Sequence, residues 1–400
     1  MDGKRFSGPE KDTGRLSRWF LGPRLAHSRD VAHSDKGKPC KMKHSDRGKP
    51  RKRSEQANGS KPAIALIAAL ALAFSLAACS SNSDGTGGTT GTGSSADASA
   101  GTTTGGWPRT IKTDDGELTL DKQPETIVST SVTLTGSLLA IDAPVVASGA
   151  TGANVAGLSD ENGFFLQWSD EAAQAGVEKL YENASPQIER VAEYAPDLIV
   201  VSATGGDSAM DQIEQLREIA PVIVVDYGSR SWQETTELLG LATGHEEDAQ
   251  KVIDDYERRV AEVKENITLP EGTTSPFTIF TDGSGAAALT EESAQGQALI
   301  ELGFTLAEIP DEVRGDTSMG QRSDIVELST ENIQRGLTGD NWIVVAADDA
   351  SMDAVANDPA FNTAPQVTEG RIVYTPSTTF RLDYYSALQF IDAIEEAYQS

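Results

Sequence analysis

Side chains able to make and break bonds are scarce over most of this chain. Its two cysteines, Cys40 and Cys79, lie near the start, as do His27, His33 and His44, so His245 is the one imidazole downstream. Thiolates and imidazoles are the usual nucleophiles and metal ligands, so those mechanisms lose their footing there, and no disulfide or cysteine zinc site can be built. Carboxylates are plentiful, and carboxylate-only chemistry stays open. The glycines of Gly149-Ala150-Thr151-Gly152 and Gly205-Gly206 read as turn formers, because no phosphate-binding lysine follows them. The residue types point to binding rather than catalysis.

Charge divides the chain. Of 33 Lys and Arg, 17 lie in residues 1–78 with 7 of the 61 acidic residues, leaving 16 basic and 54 acidic residues beyond, a net charge of −38. Such a surface avoids nucleic acid and anionic membranes. Residues 1–60 are basic and lack apolar periodicity, either as a long leader or with the true start downstream, for example at Met42. Ala63 to Ala78 is then an apolar run of signal-peptide length, short for a membrane span. It ends in Leu76-Ala77-Ala78-Cys79, which resembles the bacterial lipoprotein signal. That resemblance implies cleavage after residue 78, lipidation of Cys79, and residence on the outer face of the cytoplasmic membrane. Residues 79–106, rich in Ser, Gly and Thr, read as a flexible tether with a reach of roughly 30 Å.

The elements that must position a binding site follow. In Glu246 to Ile267, apolar residues recur at Ala249, Val252, Ile253, Tyr256, Val260, Val263 and Ile267, one stripe on one helix face. Three acidic residues suit its first turn, His245 stands at its start, and Pro270 and Gly272 stop it. The helix is expected to be about 33 Å long. On both sides, short β-branched runs alternate with helical patterns: Ile127–Ser129, Val145–Ala147, Asp197–Val201 and Val222–Val225 before it, with a helix from Ser208 to Ile219. After it come Phe277–Phe280, a helix Ala294–Leu302, Trp342–Val345, Ile372–Tyr374 and a closing helix Leu382–Tyr398. Ser185–Val201 and Ser329–Val345 each place a short helix, with a Glu near its start, before a buried strand. The reading is α/β: two lobes, 107–244 and 269–400, joined by one helix, 245–268, with a ligand cleft between them.

Lipid anchor, tether and helix-joined lobes together resemble the substrate-binding proteins of iron–siderophore ABC importers. Thr130 to Pro144 (TSVTLTGSLLAIDAP), Ser202 to Ala209 (SATGGDSA), Ser293 to Gln297 (SAQGQ) and Phe380 to Ala387 (FRLDYYSA) are similar to the ferric-enterobactin binders of that family. The resemblance spans roughly Thr126 to the C-terminus. It implies the helical-backbone periplasmic-binding-protein fold, whose lobes hinge little, and a monomer that carries a ferric siderophore, with no cofactor or protein-bound metal, to a permease and its ATPase.

The resemblance also places residues. Arg322, Arg381 and Phe380 match ligand-holding arginines and an aromatic, and Phe164 and Trp168 fall in a cleft segment. A guanidinium donates hydrogen bonds to anionic oxygens and stacks on rings, which suits an iron tris-catecholate. The plainer alternatives are ion pairs of Arg322 with Asp324 and Arg381 with Asp383, and a core role for Phe164, Phe165 and Trp168. Leu166 stands where the family has an arginine, and Leu289 where it has a tryptophan, so one charge contact and one stacking contact are missing. Another arginine such as Arg314 is a substitute. The net negative charge repels an anion at long range, but screening over about 8 Å leaves cleft arginines in control at contact. Glu189 and Glu331, one per lobe, match residues that dock on a permease. Haem or a corrinoid on the same fold, a carboxylate-based hydrolase and an adhesive lipoprotein are the competing readings.

Overall fold

A computed structural model describes residues 106–280, 282–314 and 323–399. The basic leader, the signal segment, Cys79, the tether up to residue 105 and Arg322 lie outside the described residues.

The chain enters through an antiparallel hairpin, β1 (Arg109–Thr113) and β2 (Gly116–Leu120). Five parallel strands follow: β3 (Ile127–Ser129), β4 (Val145–Ala150), β5 (Glu178–Glu182), β6 (Leu198–Ser202) and β7 (Val222–Val225), in the order β5-β4-β3-β6-β7. Every residue of β6 and β7 is buried, as expected for strands covered on both faces. The crossovers carry α1 (Val132–Ala140), α2 (Ser169–Ala175), α3 (Ile188–Glu193) and α4 (Ile213–Arg217). The single helix expected over Ser208–Ile219 is a 3₁₀ turn, Met210–Gln212, followed by α4. Ser208 Oγ bonds back to the carbonyl of Ser202, a local bond that competes with helix initiation. After β7, α5 (Trp232–Thr243) begins with a capping box between Ser231 and Glu234.

The long helix, α6, spans Glu246–Asn266, and its buried residues are Ala249, Val252, Ile253, Tyr256, Val260 and Val263. Ala249 and Val252 belong to the core of the first lobe, whereas Ile253 through Val263 belong to that of the second. One amphipathic stripe therefore roots the same helix in two cores. Burying each such Val or Ile is worth about 1.5–3 kcal/mol, so the joint between lobes is a packed rod and not a loose linker. His245 is its N-cap residue, and the Nη1 of Arg109 pairs with Glu246 at the same end.

The second lobe has strands β8 (Thr274–Phe280), β9 (Gly285–Leu289), β10 (Ile325–Ser329), β11 (Asn341–Ala347) and β12 (Ile372–Pro376), in the order β10-β9-β8-β11-β12. β8, β11 and β12 run parallel, while β9 is antiparallel to both of its neighbours. Around them lie α7 (Ala294–Leu302), α8 (Ile333–Gly336), α9 (Asp349–Asn357), α10 (Pro359–Asn362) and α11 (Pro365–Thr368). The closing helix, α12 (Tyr384–Tyr398), packs along α6, and Arg259 of α6 binds Asp392 and Glu395 of α12. No helix among the described residues is long and apolar enough to cross a membrane.

Candidate functional site

The lobes meet at the carboxyl ends of their parallel strands, where ligand clefts of open α/β sheets form. Three contacts mark the seam. Gly157, in the loop after β4, approaches Ser377, which follows β12, so closely that a Cβ there would lie 2.8 Å from the Ser377 Oγ. Gln167 Nε2 donates to the Oδ2 of Asp383 at 3.3 Å. Arg381 Nη1 donates to the hydroxyl of Tyr227 at 2.8 Å.

The first-lobe wall is built around Asp207, a buried acidic side chain. Its Oδ2 accepts from Ser131 Oγ and, at 3.1 Å, from the backbone N–H of Thr133 at the start of α1. A carboxylate suits that position, because the unpaired N–H groups of a helix N-terminus attract negative charge. Its Oδ1 accepts from the Tyr227 hydroxyl at 2.9 Å. Gly205 makes room for that hydroxyl: its φ is +88°, and a Cβ would overlap the Tyr227 oxygen. Burial raises the Tyr227 pKa, an effect opposed by Arg381 and reinforced by Asp207. The phenol therefore keeps its proton, donates it to Asp207 and turns a lone pair to Arg381.

The second-lobe wall presents Phe380 and Arg381. Phe380 is 49% exposed. Its backbone is held by Gln295 of α7, whose Nε2 donates to the carbonyls of Thr379 at 2.8 Å and Phe380 at 2.7 Å. This gives the Ser293–Gln297 motif a local meaning. Ser293 caps α7 by accepting from the Gly296 N–H, Gln295 reaches the cleft segment, and Gly296 lets the Thr290 carbonyl come close. Arg109, Arg217, Arg230, Arg259 and Arg371 are each bonded to a carboxylate, whereas Arg381 is bonded to a neutral phenol and lies with its Cζ 5.2 Å from the Tyr227 ring centroid. Its positive charge thus stays available in the cleft.

The Arg381–Asp383 ion pair weighed as an alternative does not form part of this arrangement. Asp383 is the N-cap of α12, accepting from the N–H of Ser386 at 2.9 Å, and its burial raises its pKa despite these donors. Arg314, the suggested substitute, is exposed and bonded to Asp311.

Phe164 and Trp168, expected at the ligand, lie buried beneath the wall. They are 2% and 0% exposed, with ring centroids 5.3 Å apart, and they pack into the first-lobe core. Two large rings bury more apolar area against each other and α1 than an open cleft would allow. Between them Leu166 turns outward, 42% exposed. Ser159 and Phe165 form an antiparallel bridge, and the N–H of Leu166 bonds to the Leu158 carbonyl, so Leu158 and Leu166 stand side by side on its outer face. Leu289 is 5% exposed and part of the second-lobe core, so its position offers no open stacking surface. Glu189 lies in the first turn of α3 and Glu331 in a 3₁₀ turn, Thr330–Asn332, and both are exposed. Asp207, Tyr227 and Ser131 were missed as site residues. Ser131 and Asp207 sit inside resembling segments, but their polar types alone carry no signal of a role. No group of three His, Cys, Asp or Glu side chains placed to hold a metal occurs among the described residues.

Comparison with known proteins identifies the family. The profile of the periplasmic binding protein family matches residues 127–379. The chain is 44% identical to the ferric enterobactin-binding periplasmic protein FepB of Escherichia coli O6:H1 over 72% of this chain and 90% of FepB. It is similar to the crystal structure of holo-ViuP, with 34% identity, a TM-score of 0.66, and coverage of 74% of this chain and 97% of that one. Its fold is shared by the triscatecholate siderophore binding protein FeuA of Bacillus subtilis, at 19% identity, a TM-score of 0.54, and coverage of 72% and 97%. On these grounds the chain belongs to the periplasmic binding protein family.

Proposed function

We propose that this protein is the substrate-binding component of an ABC importer, capturing a ferric siderophore, foremost a catecholate of the enterobactin kind, without converting it chemically. The observation that carries the reading is Arg381, a guanidinium kept free of carboxylates in the interlobe cleft beside the exposed ring of Phe380. An anionic ligand with aromatic faces complements that pair. The 44% identity to a ferric enterobactin-binding protein supports the same ligand class over haem, a corrinoid or a hydrolysable ester. Arg322 is a second contact in this proposal. Phe164 and Trp168 support the wall from beneath, and Trp168 reports binding, since quenching by a coloured chelate needs proximity and not touch. The decisive measurement is a tryptophan-fluorescence titration with ferric catecholate, ferric hydroxamate and ferric citrate. Saturable quenching, tightest for the catecholate, is expected; no saturable response to any iron chelate would sink the reading.

Delivery completes the proposal. The loaded protein, a monomer, docks through Glu189 and Glu331 onto basic sockets of a permease served by its ATPase. Lipidated Cys79 holds it on the outer face of the cytoplasmic membrane. Cys79→Ala is expected to block processing or release the protein; a variant that matures at normal size and stays in the membrane would refute the anchor.

A further inference from the structure

The path Asp207–Tyr227–Arg381 crosses the cleft in two hydrogen bonds, of 2.9 and 2.8 Å. Its first-lobe end is fixed: Asp207 is buried and held by Ser131 and the N–H of Thr133. Its middle is fixed as well, because Tyr227 follows the buried strand β7 and its hydroxyl nests over Gly205, where no side chain fits. Only the far end belongs to the second lobe. A guanidinium carries five N–H donors. Among the described residues, the bond to Tyr227 is the one hydrogen bond to the Arg381 guanidinium, leaving the rest for a ligand. A long, flexible arginine loses side-chain entropy when a ligand orders it, and a prior anchor removes part of that cost. A carboxylate anchor would hold Arg381 more tightly but cancel its charge; a phenol holds it and leaves the charge intact.

We infer that Tyr227, oriented by Asp207, is a positioning residue for ligand capture, holding Arg381 across the cleft in its ligand-ready pose. The inference rests on the reading of the cleft as a ferric catecholate site and goes beyond it by assigning the first lobe a role exerted through the arginine of the second.

The test is a double-mutant cycle in the full-length protein, with ferric enterobactin as the probe. Tyr227→Phe keeps the ring and its packing while removing the hydroxyl. It is expected to weaken binding about 10-fold, with Asp207→Asn acting in the same direction. In an Arg381→Ala background, Tyr227→Phe should change affinity by less than about 2-fold, because the group it positions is gone. A merely structural tyrosine would lower the melting temperature and weaken binding equally in both backgrounds, and that result overturns the inference. So does tighter binding by Tyr227→Phe, which would make Tyr227 a competitor that the ligand must displace. Absence of binding by the wild type is a separate failure, which removes the catecholate reading and this inference with it.

Discussion

The two lobes share a five-stranded sheet with its first strand in chain order at the centre, yet they reach it differently. In the first lobe all five strands are parallel, and each pair is linked by a crossover. In the second, β9 doubles back beside β8, and β10 pairs antiparallel with it. The cleft walls differ in the same way. The first lobe's helix N-terminus, the natural seat for an anion, is already filled by its own Asp207, and its outward surface is apolar at Leu158 and Leu166. The second lobe offers a cation and an exposed ring. In the proposed function, ligand charge is read on the second-lobe side, and the first lobe shapes and braces.

The comparison can be broken or sharpened at four points. The largest effect is expected at the outer faces, where the lobes should act alike. Reversing both Glu189→Arg and Glu331→Arg should abolish uptake of labelled iron by cells, leaving ferric-siderophore affinity unchanged, and each single reversal should give a partial loss. Undiminished uptake by the double variant would end the docking proposal. Next comes the charged wall. Arg381→Ala should weaken ferric catecholate binding roughly 10- to 150-fold, the cost of a charge-assisted hydrogen bond, measured by fluorescence quenching. Wild-type affinity after removal of both Arg322 and Arg381 would rule out the assignment. A smaller gain is expected when the apolar wall is given charge. Leu166→Arg should tighten catecholate binding by up to about 10-fold and leave a neutral ferric chelate unaffected; equal changes for both would mean that the two walls do not divide their work.

The smallest effect concerns the seam. Burial lifts the Asp383 carboxyl above its ordinary value of 3.8, so the folded protein holds this proton more firmly than the unfolded chain does. Its contribution favours folding most at low pH and declines as pH rises from that ordinary value through the raised one. Asn is also a good N-cap, so Asp383→Asn should keep α12 and remove the titration. The melting temperature of the variant relative to wild type is then expected to climb as pH rises through the acid range. A difference independent of pH would show that Asp383 titrates alike in the folded and unfolded chain.

What was legible in the sequence was whatever rests on long or unmixed patterns. α6 declares itself by seven apolar residues at helical spacing, and β7 and α7 occur where Val222–Val225 and Ala294–Leu302 lead one to expect them. β9, Gly-Ala-Ala-Ala-Leu, has no β-branched residue and is not among the expected strands. It becomes a strand because Gly285 and the small alanines let β8 and β10 close over it, with Gly285 so near the Leu328 carbonyl that no Cβ fits. At the site, Arg381 and Phe380 came from the family resemblance, which carries residue positions. The Asp207–Tyr227 bond did not, because it joins residues 20 apart whose meeting depends on how two loops leave adjacent strands. Phe164 and Trp168 show the converse: aromatic rings near a cleft are as apt to fill a core.

The stitching of the lobes has a consequence for how the protein comes apart. Trp232 of α5, in the first lobe, packs within the second core, its ring 5.1 Å from that of Tyr256, and Tyr384 at the head of α12 packs against both cores. The last helix in the sequence thus closes against one of the first, since α12 also lies along α1. Each lobe keeps one core cluster to itself, but the cluster beside α6 is completed in each by side chains from the other. Heat or denaturant should melt them as one cooperative unit, and a cut at the middle of α6 should yield two fragments that fold only in each other's presence.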